Sequence, residues 1–429
     1  MTTIAAQLSA IAADNLRLKA FTYVDAAGVT QAAADIAARQ RRGQTPQPLQ
    51  GVTVSIKANV AVKGWPHTAG LRFRAAGVAA QDAHIVTQLR NAGAILLGTT
   101  NMDEGALGAE GANPWYGTTQ NPCRDGYSAG GSSSGAACAV AANLCELAVG
   151  SDTIGSIRIP AAFCGVAGLK PTYGLLSTRG LTPVHRRFDH AGLIAKHCTS
   201  IARGIKVVAG YDPECNVSLP IDLLAPRNSG TALTIGYAAG MARVNISSAV
   251  VDAYNTGIAA LRALGHTLVP IDLDRWDLPR VRRAILSLCE LEMWRVHRSR
   301  ISESPDDFSD GLRAFIRYGG RLTTEDIADA ETRIAQFSRE WLAVMGGLDV
   351  CVCPTTACTS FRHGERPPHN TADLTAIASA TQLPALSLPL PVASGALPAG
   401  LQLLGPAASD LELLRLGGEL EQYFNAPAR

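Results

Sequence analysis

Hydrophobic positions along the chain switch between two periods, and the switches mark its elements. Residues 3–19 carry apolar side chains at helical spacing and predict an opening amphipathic helix, followed by a short strand over 20–25. Residues 31–42 predict a second helix, closed by the turn Gly43-Gln44-Thr45-Pro46. Over 51–59 the period becomes two: Val52, Val54 and Ile56 face one way, Thr53, Ser55 and Lys57 the other. A lysine on the non-apolar side of a strand, just before a loop, is well placed to serve chemistry. A helix over 83–92 and a buried strand over 94–98 make an α/β unit. Asn101-Met102-Asp103-Glu104 then opens a loop-rich passage to Asn121-Pro122, and residues 121–129 read as loop as well.

The next stretch breaks the pattern. Gly130-Gly131-Ser132-Ser133-Ser134-Gly135 and Gly150-Ser151-Asp152-Thr153-Ile154-Gly155-Ser156 are two serine-bearing glycine turns. Between them residues 136–149 are alanine-rich and apolar except for Asn143 and Glu146, and read as one buried helix. Glycine lets successive N–H groups converge on a ligand, and serine offers a hydroxyl that attacks or relays a proton. Residues 183–195 hold the pair Asp189-His190 just before a short apolar strand. Strand, helix and strand follow over 233–237, 248–264 and 267–271. Residues 280–345 are mostly helical and more charged, with a break at 302–309, and are expected to form a lid or the variable wall of a pocket. Core strands over 349–354, 385–390 and 400–404 and a closing helix over 410–423 complete the chain. With no internal repeat and no linker, the reading is one α/β domain with a mixed sheet.

Composition narrows the function. Charged residues make up 17 % of 429, so the chain hides much of its surface in a large core or an oligomer. A net charge of +2 gives no electrostatic case for nucleic acid or an anionic membrane. No apolar run reaches the ~18–20 residues of a membrane span, and residues 1–15 lack a signal-peptide pattern, so a cytoplasmic protein is expected. The ten cysteines show no disulfide spacing. Cys351, Cys353 and Cys358 lack a CxxC pair or a flanking histidine, and read as buried thiols rather than metal ligands.

Three chemistries compete for the serine loops. Gly131-Ser132-Ser133-Ser134-Gly135 matches the G-x-S-x-G elbow with Ser133 as nucleophile, but the segment before it does not read as a strand and the late histidines, His363 and His369, lie in a proline-crowded stretch. A phosphate loop would need Gly-Lys-[Ser/Thr] at the helix start, where Gly135-Ala136 stands. In the third, an unprotonated Lys57 activates a serine; the apolar stretch 52–62 offers the desolvation this requires.

These motifs together resemble the amidase signature family. The glycine/serine-rich signature corresponds to residues 130–164, the lysine strand to 51–59, and residues 101–104, 168–172, 189–192 and 400–405 are similar to other family landmarks. The resemblance spans nearly the whole chain, 1–429, with a catalytic core over about 51–200 and its weakest part over 280–341. It implies one domain, a mixed central β-sheet covered by helices on both faces. It implies a Ser-cisSer-Lys triad of Ser156 as nucleophile, Ser132 as bridging serine behind a cis Gly131–Ser132 bond, and Lys57 as base, with Gly131 beside the substrate. The N–H groups of Thr153, Ile154, Gly155 and Ser156 would form the oxyanion hole. No metal or organic cofactor is implied. Ile154 stands where the family commonly has glycine, which narrows the acyl side toward small or slender groups; Ser134, also at a common glycine, is read as neutral.

Other residues get plainer readings. Asp152 and Arg158 are expected to satisfy each other and buried backbone, Ser133 to bond within its loop, and His190 to be structural. His67 and Trp65 either line the entrance or pack. Arg298, Arg300, Arg313 and Arg317 read as a solvated helical face. The expected activity is hydrolysis of a small carboxamide or urea-like C–N bond, in the manner of amidases such as carboxybiuret hydrolase. The alternatives are an ammonia-releasing subunit of a glutamine-dependent tRNA amidotransferase and a catalytically silent scaffold. The partner is a small-molecule amide, with a homo-oligomer or a small helical subunit left open.

Overall fold

The computed structural model describes residues 3–222 and 232–426. Its strands, in chain order, are β1 (Phe21–Val24), β2 (Thr53–Lys57), β3 (Ile95–Thr100), β4 (Gln120–Asn121), β5 (Arg124–Ser128), β6 (Leu147–Asp152), β7 (Ala167–Lys170), β8 (His190–Ala195), β9 (Thr234–Gly240), β10 (Thr267–Asp272), β11 (Val350–Pro354), β12 (Ala385–Leu390) and β13 (Ala399–Leu404). Eleven of them form one mixed sheet in the order β1-β3-β2-β6-β8-β7-β12-β13-β11-β9-β10. Pairing is parallel for β3-β2-β6 and β11-β9-β10 and antiparallel through the centre. The fold is thus the single α/β domain expected.

Side-chain alternation sorts this sheet into two cores. Val54, Ile56, Leu96, Leu147, Val149 and Leu193 point to one face, under helices Cys198–Val208 and His84–Asn91. Ile95, Leu97, Ala148 and Ile194 point to the other, under helices Ile4–Leu18, Ala26–Arg41 and Ser134–Ala141. The period-two pattern of β2 therefore gives its faces correctly, but its polar side is not solvated. All five residues of β2 are buried, Val54 and Ile56 in one core, while the helix Ser134–Ala141 packs against the strand from the other core.

Three expectations need correction. Residues 136–149 are not one helix: the helix ends at Ala141, Asn143 takes φ 61°, and the chain re-enters the sheet as β6. Residues 121–129 are not loop, since β4 and β5 pair as a small antiparallel ribbon. The second helix begins at Ala26 rather than 31, capped by the Asp25 side chain on the Gly28 N–H. The charged region comprises helices Leu278–Glu303, Asp310–Gly319 and Thr324–Met345, broken near 302–309 as expected and again before Thr323, which caps the last helix with a capping box. Its arginines find local acids: the exposed Arg300 bonds Asp307 at 2.8 Å and the half-buried Arg313 pairs with Asp310. Among the described residues no helix is long and apolar enough to cross a membrane.

Candidate active site

Parallel pairing of β2 with β6 sets the centre. The register Val54↔Leu147, Ser55↔Ala148, Ile56↔Val149 brings Lys57, at the end of β2, beside Gly150 and Ser151. Ligands gather beyond the carboxyl ends of parallel strands, and both serine loops converge there. The first loop lies between β5 and helix Ser134–Ala141; the second leaves β6 and enters helix Arg158–Cys164. Ser133 N–H donates to the Ser156 carbonyl at 3.0 Å, and Ser133 Oγ donates to the Ser151 carbonyl at 3.1 Å, so the two loops are bound to each other.

Lys57 is fully buried. Its Nζ lies 2.8 Å from Ser132 Oγ, 2.9 Å from Ser151 Oγ and 3.4 Å from the Ser151 carbonyl. Burial lowers its pKa from 10.5 to about 7, although Asp103, Asp152 and Asp189 pull the other way. Ser132 is also fully buried, and the Gly131–Ser132 peptide bond is cis. Ser156 is 9 % exposed, enough to face a cavity of about 440 Å³ that Lys57 and Ser132 do not line. A side chain on Gly131 would press its Cβ to 3.0 Å from the Glu110 nitrogen and against the Asp103 carboxyl.

A buried ion pair shapes the second serine loop. Arg158 meets Asp152 through Nη2 at 2.8 Å and Nε at 3.0 Å, and Arg158 Nη1 reaches the Thr375 carbonyl and Gln402 Oε1. Burial alone would raise the Asp152 carboxyl, but the Arg158 charge and its hydrogen bonds hold it down at about 2. That carboxylate accepts from the Gly155 N–H at 2.8 Å and the Ile157 N–H at 3.1 Å. Gly155 therefore departs from expectation: its N–H points at Asp152, not into the cavity. Gly155 has φ 137°, and a Cβ there would lie 2.8 Å from Thr375 Cβ. The N–H groups of Thr153, Ile154 and Ser156 meet no acceptor among the described residues.

Asp189 and His190 have separate tasks. The Asp189 carboxylate accepts from Thr153 Oγ1 at 2.6 Å, Val184 N–H at 2.8 Å and His185 N–H at 3.0 Å, which ties the second serine loop to the cavity wall at Val184. Burial raises it to about 6. His190 is structural: Nδ1 faces the Phe188 carbonyl at 2.7 Å and Nε2 faces Lys170 Nζ at 3.2 Å, and burial beside the Lys170 charge pushes its pKa down to about 3.

Ser133 is fully buried and engaged with Ser151, so the elbow reading loses its nucleophile even though β5 precedes it. Trp65 packs, donating to Asp25 at 3.0 Å, while His67 bonds the Asn59 carbonyl and Thr182 rather than the cavity. Cys351 and Cys353 are buried in β11, where Cys353 Sγ accepts from Gln402. Opposite Ser156 the cavity is walled by Arg282, Leu286, Cys289, Leu312 and Phe315 of the helical region, with His369 and Thr371 at its side. Asp103 lines it too, held by the Gly111 N–H at 3.1 Å and raised by burial to about 7. Sequence reasoning assigned no role to Ser151, Asn59 or Asp103. Ser151 stood in the second serine turn, and only its spatial approach to Lys57 distinguishes it.

Comparison with known proteins bears on this geometry. The model of the Amidase family matches residues 2–414. A glutamyl-tRNA(Gln) amidotransferase subunit of Legionella pneumophila (strain Paris) is 32 % identical over 446 aligned positions, covering 96 % of this chain and 91 % of that protein. A solved structure described as an unexpected vestigial protein complex revealing the origins of an s-triazine catabolic enzyme is similar at TM-score 0.90 and 30 % identity, over 98 % of this chain and 94 % of that one. The corresponding glutamyl-tRNA(Gln) amidotransferase chain of Thermotoga maritima shares the fold at TM-score 0.79 and 24 % identity, over 99 % and 91 %.

Proposed function

Since the chain belongs to the amidase family, whose members act on amide C–N bonds, we propose that it releases ammonia from a small carboxamide through an acyl-enzyme on Ser156. The observation that carries this reading is the 2.8 Å approach of a fully buried Lys57 amine to Ser132 Oγ, behind the cavity that Ser156 faces. A lysine titrating at about 7 is substantially unprotonated at neutral pH, as a base must be. Ser156 Oγ attacks the carbonyl carbon, its proton passes to Ser132, and the Ser132 proton passes to Lys57. The N–H groups of Thr153, Ile154 and Ser156 receive the oxyanion; such preorganised donors contribute several kcal/mol to lowering the barrier. Lys57 then returns its proton through Ser132 to the leaving nitrogen as the C–N bond breaks. Water, activated along the same route, attacks the ester, releases the acid and restores Ser156. The core over about 51–200 supplies the chemistry, and the helices over about 280–345 set which substrate fits.

Two substrate readings follow. The Legionella relative favours release of ammonia from glutamine for partner subunits, and the curated relatives back this better than a free-standing small-amide hydrolase. The likeness to the s-triazine complex, higher in both identity and TM-score than that to the Thermotoga protein, favours a small urea-like amide. Ile154 on the cavity wall suits either slender acyl group. Ammonia release from a panel of small amides, ureas and glutamine, with Ser156→Ala as control, tests the proposal; no release above the control from any of them would count against it.

A further inference from the structure

Lys57 Nζ has three neighbours in reach, and a free amine has only two hydrogens and one lone pair. The Ser151 carbonyl can only accept, so it takes one N–H. The hydroxyls of Ser132 and Ser151, at 2.8 and 2.9 Å, compete for the remaining N–H and the lone pair. Lys57 can draw a proton from Ser132 only when the lone pair faces Ser132 and the second N–H faces Ser151. If the Ser151 hydroxyl instead donated to Nζ, the base would be occupied.

The surroundings of Ser151 decide between these states. Asn59 Nδ2 lies 3.0 Å from Ser151 Oγ, while Asn59 Oδ1 is buried with no hydrogen-bond partner among the described residues. A half-turn of the amide exchanges its oxygen and nitrogen in nearly the same space. The oxygen then accepts the Ser151 hydroxyl hydrogen, and Ser151 Oγ can only accept from Lys57. The main chain of Ser151 is fixed as well, because Ser133 Oγ donates to its carbonyl at 3.1 Å. We propose that Ser151, held by Asn59, is a positioning residue that turns the lone pair of Lys57 toward Ser132. This rests on Lys57 being the base.

The test reads the rate of Ser156 labelling by a fluorophosphonate across pH, in the full chain. The acid limb of that profile includes Lys57; Asp103 and Asp189, which face it and titrate in the same range, and Asp152 are common to every variant compared. Ser151→Ala removes an acceptor that holds the ammonium more strongly than the amine. It is expected to slow labelling by about tenfold and to move the acid limb to lower pH, while Ser151→Thr restores most of the rate. Asn59→Asp keeps an acceptor for the Ser151 hydroxyl and adds negative charge, so its limb moves to higher pH; it serves if Ser151→Ala does not fold. An unchanged rate in Ser151→Ala, or a slower rate with an unmoved limb, overturns the positioning role, as does an unmoved limb in Asn59→Asp. Lys57→Ala at the parental rate overturns the base reading itself, independently of Ser151.

Discussion

Replacing Lys57 by methionine separates its chemistry from its packing. Methionine is similarly long and unbranched but cannot take a proton, so Lys57→Met leaves Ser132 without a base. The magnitude follows from burial. At pH 7 the lowering of Lys57 from 10.5 to about 7 raises its free-amine fraction from roughly 1 in 3,000 to about one half. General-base assistance is worth on the order of 10²–10⁴ in rate, so labelling of Ser156 or ammonia release should fall by about that factor. The residual rate should also lose its rise through about pH 7. Stability is expected to move the other way. Below about pH 7 the folded and unfolded chains both carry the proton, and the full cost of burying it is present; that cost is relieved as pH rises from about 7 toward 10.5. The drop corresponds to roughly 5 kcal/mol, offset by about 1 kcal/mol for each hydrogen bond that Nζ gives up. Lys57→Met should therefore melt no lower than the parent near pH 6, by calorimetry or circular dichroism. Near-parental turnover with an intact pH rise would refute the relay. Lost turnover accompanied by a large fall in melting temperature would mean that the amine holds the fold rather than moves the proton.

Further outcomes test neighbouring parts of the site. Ser156→Ala should abolish fluorophosphonate labelling while the circular dichroism spectrum stays parental; label retained on Ser133 would return the elbow mechanism. Gly155→Ala forces a side chain into φ 137° and to 2.8 Å from Thr375 Cβ, so labelling should collapse and denaturant melts should show a loss of about 1–3 kcal/mol. Arg158→Met strands the Asp152 carboxylate in the core. Removing one partner of a buried pair costs about 3–5 kcal/mol at neutral pH, and the deficit in urea melts should narrow toward acid, where Asp152 takes up a proton.

How much of this was legible in the sequence depends on how local each determinant is. The alternation of Val52, Val54 and Ile56 against Thr53, Ser55 and Lys57 fixed both faces of β2, because side-chain direction in a strand is set by the backbone alone. What covers the second face is not local. The helix Ser134–Ala141 comes from well beyond the strand in sequence, and it completes the burial of Lys57 that the apolar stretch 52–62 only suggested. The same limit produced the error over 136–149. A short buried helix and a buried strand are equally apolar, so periodicity could not find the seam at Asn143. The pairing of β6 with β2 and β8 fixes it.

The second serine loop shows the sharper limit. The spacing Asp152-Thr153-Ile154-Gly155-Ser156 was visible as a run of convergent N–H groups, but the direction of each depends on which acceptor reaches it first. Asp152 is held below its ordinary range by Arg158, whose own position depends on Thr375 and Gln402 from the far end of the chain. That anchored carboxylate takes the Gly155 N–H and so withdraws one donor from the cavity. The neighbouring N–H groups of Thr153 and Ile154 stay clear of it, and Thr153 is held from the other side by Asp189. The loop is therefore bonded to two buried carboxylates, Asp152 through the Gly155 and Ile157 N–H groups and Asp189 through Thr153 Oγ1. Its residue types were readable in the chain, whereas the contacts that anchor Asp152 through Arg158 join segments more than 200 positions apart in sequence, at Thr375 and Gln402.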